Sequence, residues 1–225
     1  MKSNAALYNY YAFFKKFAAT ISKKHFKKSI NQPEIWLSAG LILFFITLIF
    51  IPVDRFYDAE ISILQFFYNW PLALKPLFLV ITQLGSGWMI GCALALTLVY
   101  RKFKALKYLA VSSTGAYLLT VALKLIIDRP RPTHVLPRII ERQSTLTNHG
   151  FPSGHTAVTA AIALSLLPFI PKRWRWLVPL WILAVAISRL YLGVHAPLDL
   201  IGGLAVGLSV AGFVGVLQSK DKANA

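Results

Sequence analysis

Residues 35–52 read IWLSAGLILFFITLIFIP, a run without a single charged side chain. The hydrocarbon core of a bilayer is about 30 Å thick, and a helix rising 1.5 Å per residue crosses it with about 20 apolar residues. The run therefore predicts a transmembrane helix, opened by Pro33 and Glu34 at a helix start. Backbone in lipid has to satisfy its own hydrogen bonds, so other apolar runs of this length predict helices as well. Moving outward, such runs fall at about 76–100, 108–127, 151–168, 176–192 and 197–217. Six spans predict an all-α polytopic membrane bundle. A chain of 225 residues then keeps only short connections and no separate soluble catalytic domain. Any chemistry has to sit on helix ends and loops. The expected organisation is a basic amphipathic interfacial segment at 1–33 and a six-helix membrane domain at 34–219.

The composition agrees: 56% hydrophobic, 14% charged and mean hydropathy +0.59 is too apolar for an ordinary soluble domain. The net charge of +16 could point to nucleic acid, but most basic residues lie in short segments between the apolar runs. At the N-terminus Lys15, Lys16, Lys23, Lys24, Lys27 and Lys28 interrupt every apolar stretch, which excludes a secretory signal. Tyr10, Phe14, Phe17 and Ile21 recur there at helical spacing and predict a helix lying on anionic lipid. The loops at 101–107 and 172–175 and the tail with Lys220 and Lys222 are also basic. Short basic loops mark the cytoplasm, which predicts both termini inside the cell membrane and the segments 53–75, 128–151 and 193–196 outside. The segment 53–75 reads as an external loop with a short interfacial helix.

Other features read as architecture. Gly87 and Gly91 in the second span, and Gly202, Gly203 and Gly207 in the sixth, predict close helix packing. Trp36, Trp70, Trp174 and Trp176 read as interface anchors. Cys92 is the only cysteine and supports neither a disulfide nor a thiolate metal site. The eight acidic residues are scattered, which argues against a carboxylate-bridged two-metal centre.

Three polar clusters fall on the expected outer face. Lys124 is followed after six residues by Arg131-Pro132; Pro152-Ser153-Gly154-His155 opens the fourth span; Ser188-Arg189 is followed after five residues by His195, and after three more by Asp199. Taken singly, each has a bland reading: Lys124 snorkelling to the interface, Arg189 paired with Asp199, His155 capping a helix. Taken together, the set resembles the signature of the type 2 phosphatidic acid phosphatase superfamily, with all three motifs complete and in order. The resemblance is expected to cover 35–217. Asp128 and Arg129 match no signature position and are set aside.

The residue types suit that chemistry. A phosphoryl group in transfer spreads charge over its equatorial oxygens, and Lys124, Arg131 and Arg189 are cations to receive it. Ser153 and Gly154 precede a helix, where free backbone N–H groups favour an anion. His195 and Asp199 lie one helical turn apart, so the carboxylate can hold one ring nitrogen while the other attacks phosphorus. His155 is left as the general acid. The resemblance implies these same roles, with His195 as nucleophile, Asp199 as its orienter, and Lys124, Arg131, Ser153, Gly154 and Arg189 binding phosphate. It also implies a lipid phosphatase or diphosphatase that needs no metal or other cofactor and has no nucleic-acid partner. Undecaprenyl diphosphate is the first substrate expected. Phosphatidylglycerophosphate, phosphatidate, a lipid A phosphate and transfer to a second lipid are the alternatives.

Overall fold

The computed structural model describes residues 32–223 apart from residue 146. The expected basic helix at the N-terminus lies, but for its last two positions, outside the described residues. The helices, in chain order, are α1 (Pro33–Phe50), α2 (Asp58–Tyr68), α3 (Lys75–Gln83), α4 (Gly87–Val99), α5 (Phe103–Ile127), α6 (Pro132–Val135), α7 (Gly154–Leu166), α8 (Leu177–Tyr191) and α9 (Pro197–Ala223). Among the described residues there is no strand, only an isolated antiparallel bridge between Pro130 and His149.

By length and apolarity α1, α5 and α9 can each cross a membrane alone, and α2 with α3 would make a further span only as a pair bent by 79°. The expected helix over 76–100 is corrected. It is two helices, α3 and α4, separated at Leu84–Ser86. At the break Gly85 lies close against α7 and α8. A Cβ there would lie 2.5 Å from Thr159 Oγ1 and 2.7 Å from Val185 Cγ1. The stretch Thr82-Gln83-Leu84-Gly85-Ser86-Gly87 marks this break in the sequence, and reading 76–100 as one apolar run passed over it.

The centre of the bundle is α7, which packs against α5, α8 and α9. Every residue from Thr156 to Ser165 is buried. Ala157, Ala160, Ala161 and Ala163 keep this helix slim enough to be surrounded. The glycines of α9 work as expected: a Cβ on Gly207 would stand 2.5 Å from Ala157 O and 2.6 Å from Ala160 Cβ. Those of α4 do not. A Cβ on Gly87 or Gly91 would meet no atom within 4 Å; Gly91 is exposed, and Gly87 opens onto the cavity described below.

Helix order puts four ends together. The C-terminal ends of α5 and α8 meet the N-terminal ends of α7 and α9, and α2 packs against α8 and α9 at the same level. The basic residues Lys102, Lys104, Lys172 and Arg173 lie at the other ends of α5 and α8.

Candidate active site

At Asp128 the chain turns left-handed (φ 49°), a conformation that Asp tolerates better than most residues, and α5 stops. Pro130 and Pro132 keep the next residues extended, and this strip pairs with residues 148–150 through Arg131 N–H to Asn148 O (3.2 Å) and Gly150 N–H to Arg129 O (2.6 Å). Lys124, one turn from the end of α5, then reaches the same strip and donates to His149 O (2.8 Å) and Gly150 O (3.2 Å).

Arg131 donates from Nε to Thr147 O (2.7 Å) and from NH1 to Val194 O (2.8 Å), tying the strip to the loop before α9. Burial pulls its guanidinium below the ordinary value, opposed by Glu141 and Asp199. Arg189, on the last turn of α8, donates from NH1 to Thr82 Oγ1 (2.7 Å) on α3 and to the amide oxygen of Gln143. Gln143 sits in a loop clamped by Arg142, whose guanidinium lies over the rings of Tyr68 (3.9 Å) and Tyr191 (4.6 Å).

The helix starts are arranged for an anion. Ser153 caps α7, buried, and its own N–H is taken by Asp199 O at 2.8 Å. The first N–H groups inside α7, from Gly154 onward, have no acceptor within the helix. Nothing approaches a Cβ built on Gly154 closer than Thr120 Cγ2 at 3.6 Å, which leaves room beside these donors.

On α9, Pro197 takes the first helical position, and Asp199 Oδ2 accepts the Ala196 N–H at 2.9 Å in the manner of a capping box. The same oxygen stands 3.4 Å from His195 Nδ1, a close approach without a formed hydrogen bond. Burial holds the His195 imidazole well below the ordinary histidine range, and Arg131, Lys124 and Arg189 press it further down. The ring is therefore neutral at neutral pH, with its second nitrogen unprotonated when Nδ1 carries the hydrogen.

These side chains enclose a cavity of about 300 Å³. Lys124, Arg131, Gly154, His155, Arg189 and His195 line it, with Ser86, Gly87, Gln143, Thr145 and Thr147 among its other walls; Ser153 and Asp199 lie directly behind. The structure thus brings all eight residues expected from the sequence to one place. The three cations are held by carbonyls, a hydroxyl and an amide. Among the described residues none of them makes a salt bridge, so Asp199 is not the partner of Arg189. Asp199 pairs instead with Arg129, whose NH1 is 2.8 Å from Oδ1.

Arg129 and its second partner, Glu60 of α2, were not visible as site residues from the sequence. No local spacing joins positions this far apart, and Arg129 is the same residue type as Arg131 two positions on. Thr82 and Gln143 were missed too: Thr82 lies inside the run read as 76–100 and Gln143 in the polar segment 128–151, and neither belongs to a spacing pattern.

The comparisons with known proteins bear on this cavity. The sequence profile of the PAP2 superfamily matches residues 105–222, which include all three motifs. The chain belongs to the PAP2 superfamily. It is similar to the undecaprenyl-diphosphatase of Sulfolobus acidocaldarius (28% identical, covering 62% of this chain and 68% of the relative). It is also similar to the decaprenylphosphoryl-5-phosphoribose phosphatase of Mycobacterium tuberculosis (31% identical, covering 57% and 70%). Among solved structures it resembles LpxE of Aquifex aeolicus, with a TM-score of 0.64 and 26% identity over 72% of this chain and 96% of that one. The phosphatidylglycerolphosphate phosphatase of Bacillus subtilis, also of PAP2 type, aligns with a TM-score of 0.60 and 26% identity over 84% and 96%. The protein is a membrane lipid phosphatase of this superfamily.

Proposed function

We propose that this PAP2 phosphatase removes the terminal phosphate of undecaprenyl diphosphate, at the extracytoplasmic face, through a phosphohistidine on His195. The observation that carries the reading is a set of three cations, Arg131 and Arg189 buried and Lys124 half-buried, with no carboxylate partner among the described residues, gathered around one cavity beside two histidines. Buried charge without a counter-ion is costly, and a bound phosphate supplies what is missing.

In this reading Lys124, Arg131, Arg189 and the free N–H groups at the start of α7, from Gly154 onward, hold the phosphoryl oxygens, with Ser153 shaping the turn that presents them. His195 Nε2 bonds to phosphorus as the bond to the leaving oxygen breaks. His155 gives that oxygen its proton, then takes one from the water that releases phosphate. Asp199 keeps the hydrogen on Nδ1, so the lone pair stays on Nε2. Cations and helix dipole do the work of a Lewis acid, and the reaction is metal-independent; among the described residues no three His, Cys, Asp or Glu side chains cluster as ligands.

Orientation follows from charge, since Lys102, Lys104, Lys172 and Arg173 all lie at the end of the bundle away from the cavity. Polar Gln143, Thr145 and Thr147 in the cavity wall, beside the cations, suit the second phosphate of a diphosphate. Likeness to a phosphatidylglycerolphosphate phosphatase and to lipid A 4'-phosphatases supports the alternative head groups.

Phosphate release from purified lipids in detergent with EDTA tests the proposal. Undecaprenyl diphosphate is expected to give the highest kcat/KM, EDTA to leave turnover intact, and orthovanadate to inhibit. Activity lost in EDTA and restored by magnesium overturns the mechanism. A higher kcat/KM on another lipid phosphate overturns the substrate.

A further inference from the structure

Arg129 is the largest fully buried side chain among the described residues, and the reaction above gives it no phosphate to hold. Its guanidinium joins two carboxylates from different helices. NH2 lies 2.8 Å from Glu60 Oε2 on α2, while NH1 lies 2.8 Å from Asp199 Oδ1 on α9 and 3.3 Å from Glu60 Oε1. One face is covered by the Phe56 ring, with 4.4 Å from the guanidinium carbon to the ring centre. Glu60 is itself fixed by the N–H groups of Leu198 (3.2 Å), in the first turn of α9, and Tyr57 (3.4 Å). Asp199 therefore has each oxygen spoken for: Oδ1 by Arg129, Oδ2 by Ala196 N–H and the approach of His195 Nδ1.

We infer that Arg129, backed by Glu60, is a positioning residue for the nucleophile, fixing the Asp199 carboxylate that faces His195. The inference rests on His195 acting as proposed. With Oδ1 held, the carboxylate plane cannot turn, and Oδ2 stays opposite the imidazole. Charge matters as much as geometry. Two carboxylates and one guanidinium leave one negative charge behind the ring. When Nε2 bonds to phosphorus and the leaving oxygen departs with its electron pair, the ring becomes a phosphoimidazolium with the hydrogen still on Nδ1. The single negative charge is matched to that cation. Without Glu60, Arg129 would cancel Asp199 and leave the ring without a counter-charge. Without Arg129, two carboxylates would share a buried space with no cation between them.

Full-length Arg129→Gln, Arg129→Lys, Glu60→Gln, Asp199→Asn, His195→Ala and the double variant Arg129→Gln/Asp199→Asn test this, purified in detergent. Turnover of farnesyl diphosphate, inhibition by orthovanadate and thermal unfolding are measured on each. Arg129→Gln and Glu60→Gln are expected to lower kcat by about 10–100-fold, the range for losing the outer partner of a metal-bound histidine and taken here as the scale, with KM and vanadate inhibition unchanged. Arg129→Lys is expected not to restore kcat, because a point charge cannot bridge two carboxylates as a planar fork does. The double variant is expected to be no slower than Asp199→Asn, since both changes act through one carboxylate. If Arg129→Gln does not fold, Glu60→Gln carries the test alone. A folded Glu60→Gln enzyme with unchanged kcat overturns the inference. So does a double variant whose loss is the product of the single losses, or weaker vanadate inhibition, which would place Arg129 among the phosphate cations. Turnover retained in His195→Ala and Asp199→Asn is a separate result, and it removes the nucleophile assignment itself.

Discussion

In the proposed mechanism, replacing His155 with alanine takes away the proton donor and leaves each phosphate-binding cation in place. Cleaving a diphosphate expels a lipid phosphate, a far weaker base than the alkoxide expelled from a monoester. A good leaving group needs little protonation in the transition state. His155→Ala is therefore expected to cost about 10²–10⁴-fold on a lipid monophosphate and clearly less on its diphosphate, read as kcat/KM at one pH. Equal losses would make His155 a phosphate ligand. His195 carries a different prediction, on pH. Its folded-state value lies below the ordinary 6.5, and attack requires the neutral ring. Activity is present above that depressed value and lost as pH falls through it, so the acid limb of kcat/KM is expected below 6.5. An acid limb at or above the ordinary histidine range would contradict the burial seen here. At this scale the sequence was informative where spacing is local. His195 and Asp199 share one turn, and Ser153 to His155 are contiguous. The Glu60–Arg129 pair was not legible because only the folded bundle brings α2 to the end of α5.

Between helices, the glycines separate two kinds of small residue that look alike in a sequence. Gly207 lies against the backbone of α7, whereas Gly91 lies against nothing. Gly207→Val is expected to destabilise by about 1–3 kcal/mol, the range for overpacking a close contact. Gly91→Ala is expected to leave stability unchanged or raise it by up to about 1 kcal/mol, the difference in helix propensity. Unfolding in detergent of the two variants beside the parent checks this, and a destabilised Gly91→Ala would mean that α4 has a partner on that face. Apolar runs located the long helices α1, α5 and α9, but reading 76–100 as one run missed the break at Gly85. The break falls at the polar, glycine-rich Gln83-Leu84-Gly85-Ser86-Gly87, where Gly85 also lies close against α7 and α8.

For the whole molecule the testable quantity is sidedness. In a protein with Cys92 changed to alanine, a cysteine at the exposed Ser144 is expected to react with a membrane-impermeant maleimide from outside the cell. One at the exposed Lys104 is not. The reverse labelling would put the cavity in the cytoplasm and end the case for an extracytoplasmic substrate. The short helices have a consequence of their own. At 1.5 Å per residue, the 15 residues of α8 climb only about 22 Å from the basic end to the cavity, against about 30 Å of hydrocarbon. Because α5 spends 25 residues, about 38 Å, reaching the same cavity, the bundle joins a long and a short helix at one site, and the bilayer around α8 is expected to thin so that a lipid headgroup reaches it. Lipid thickness becomes a control on turnover, because thinner leaflets bring headgroups down to the site and thicker ones hold them away.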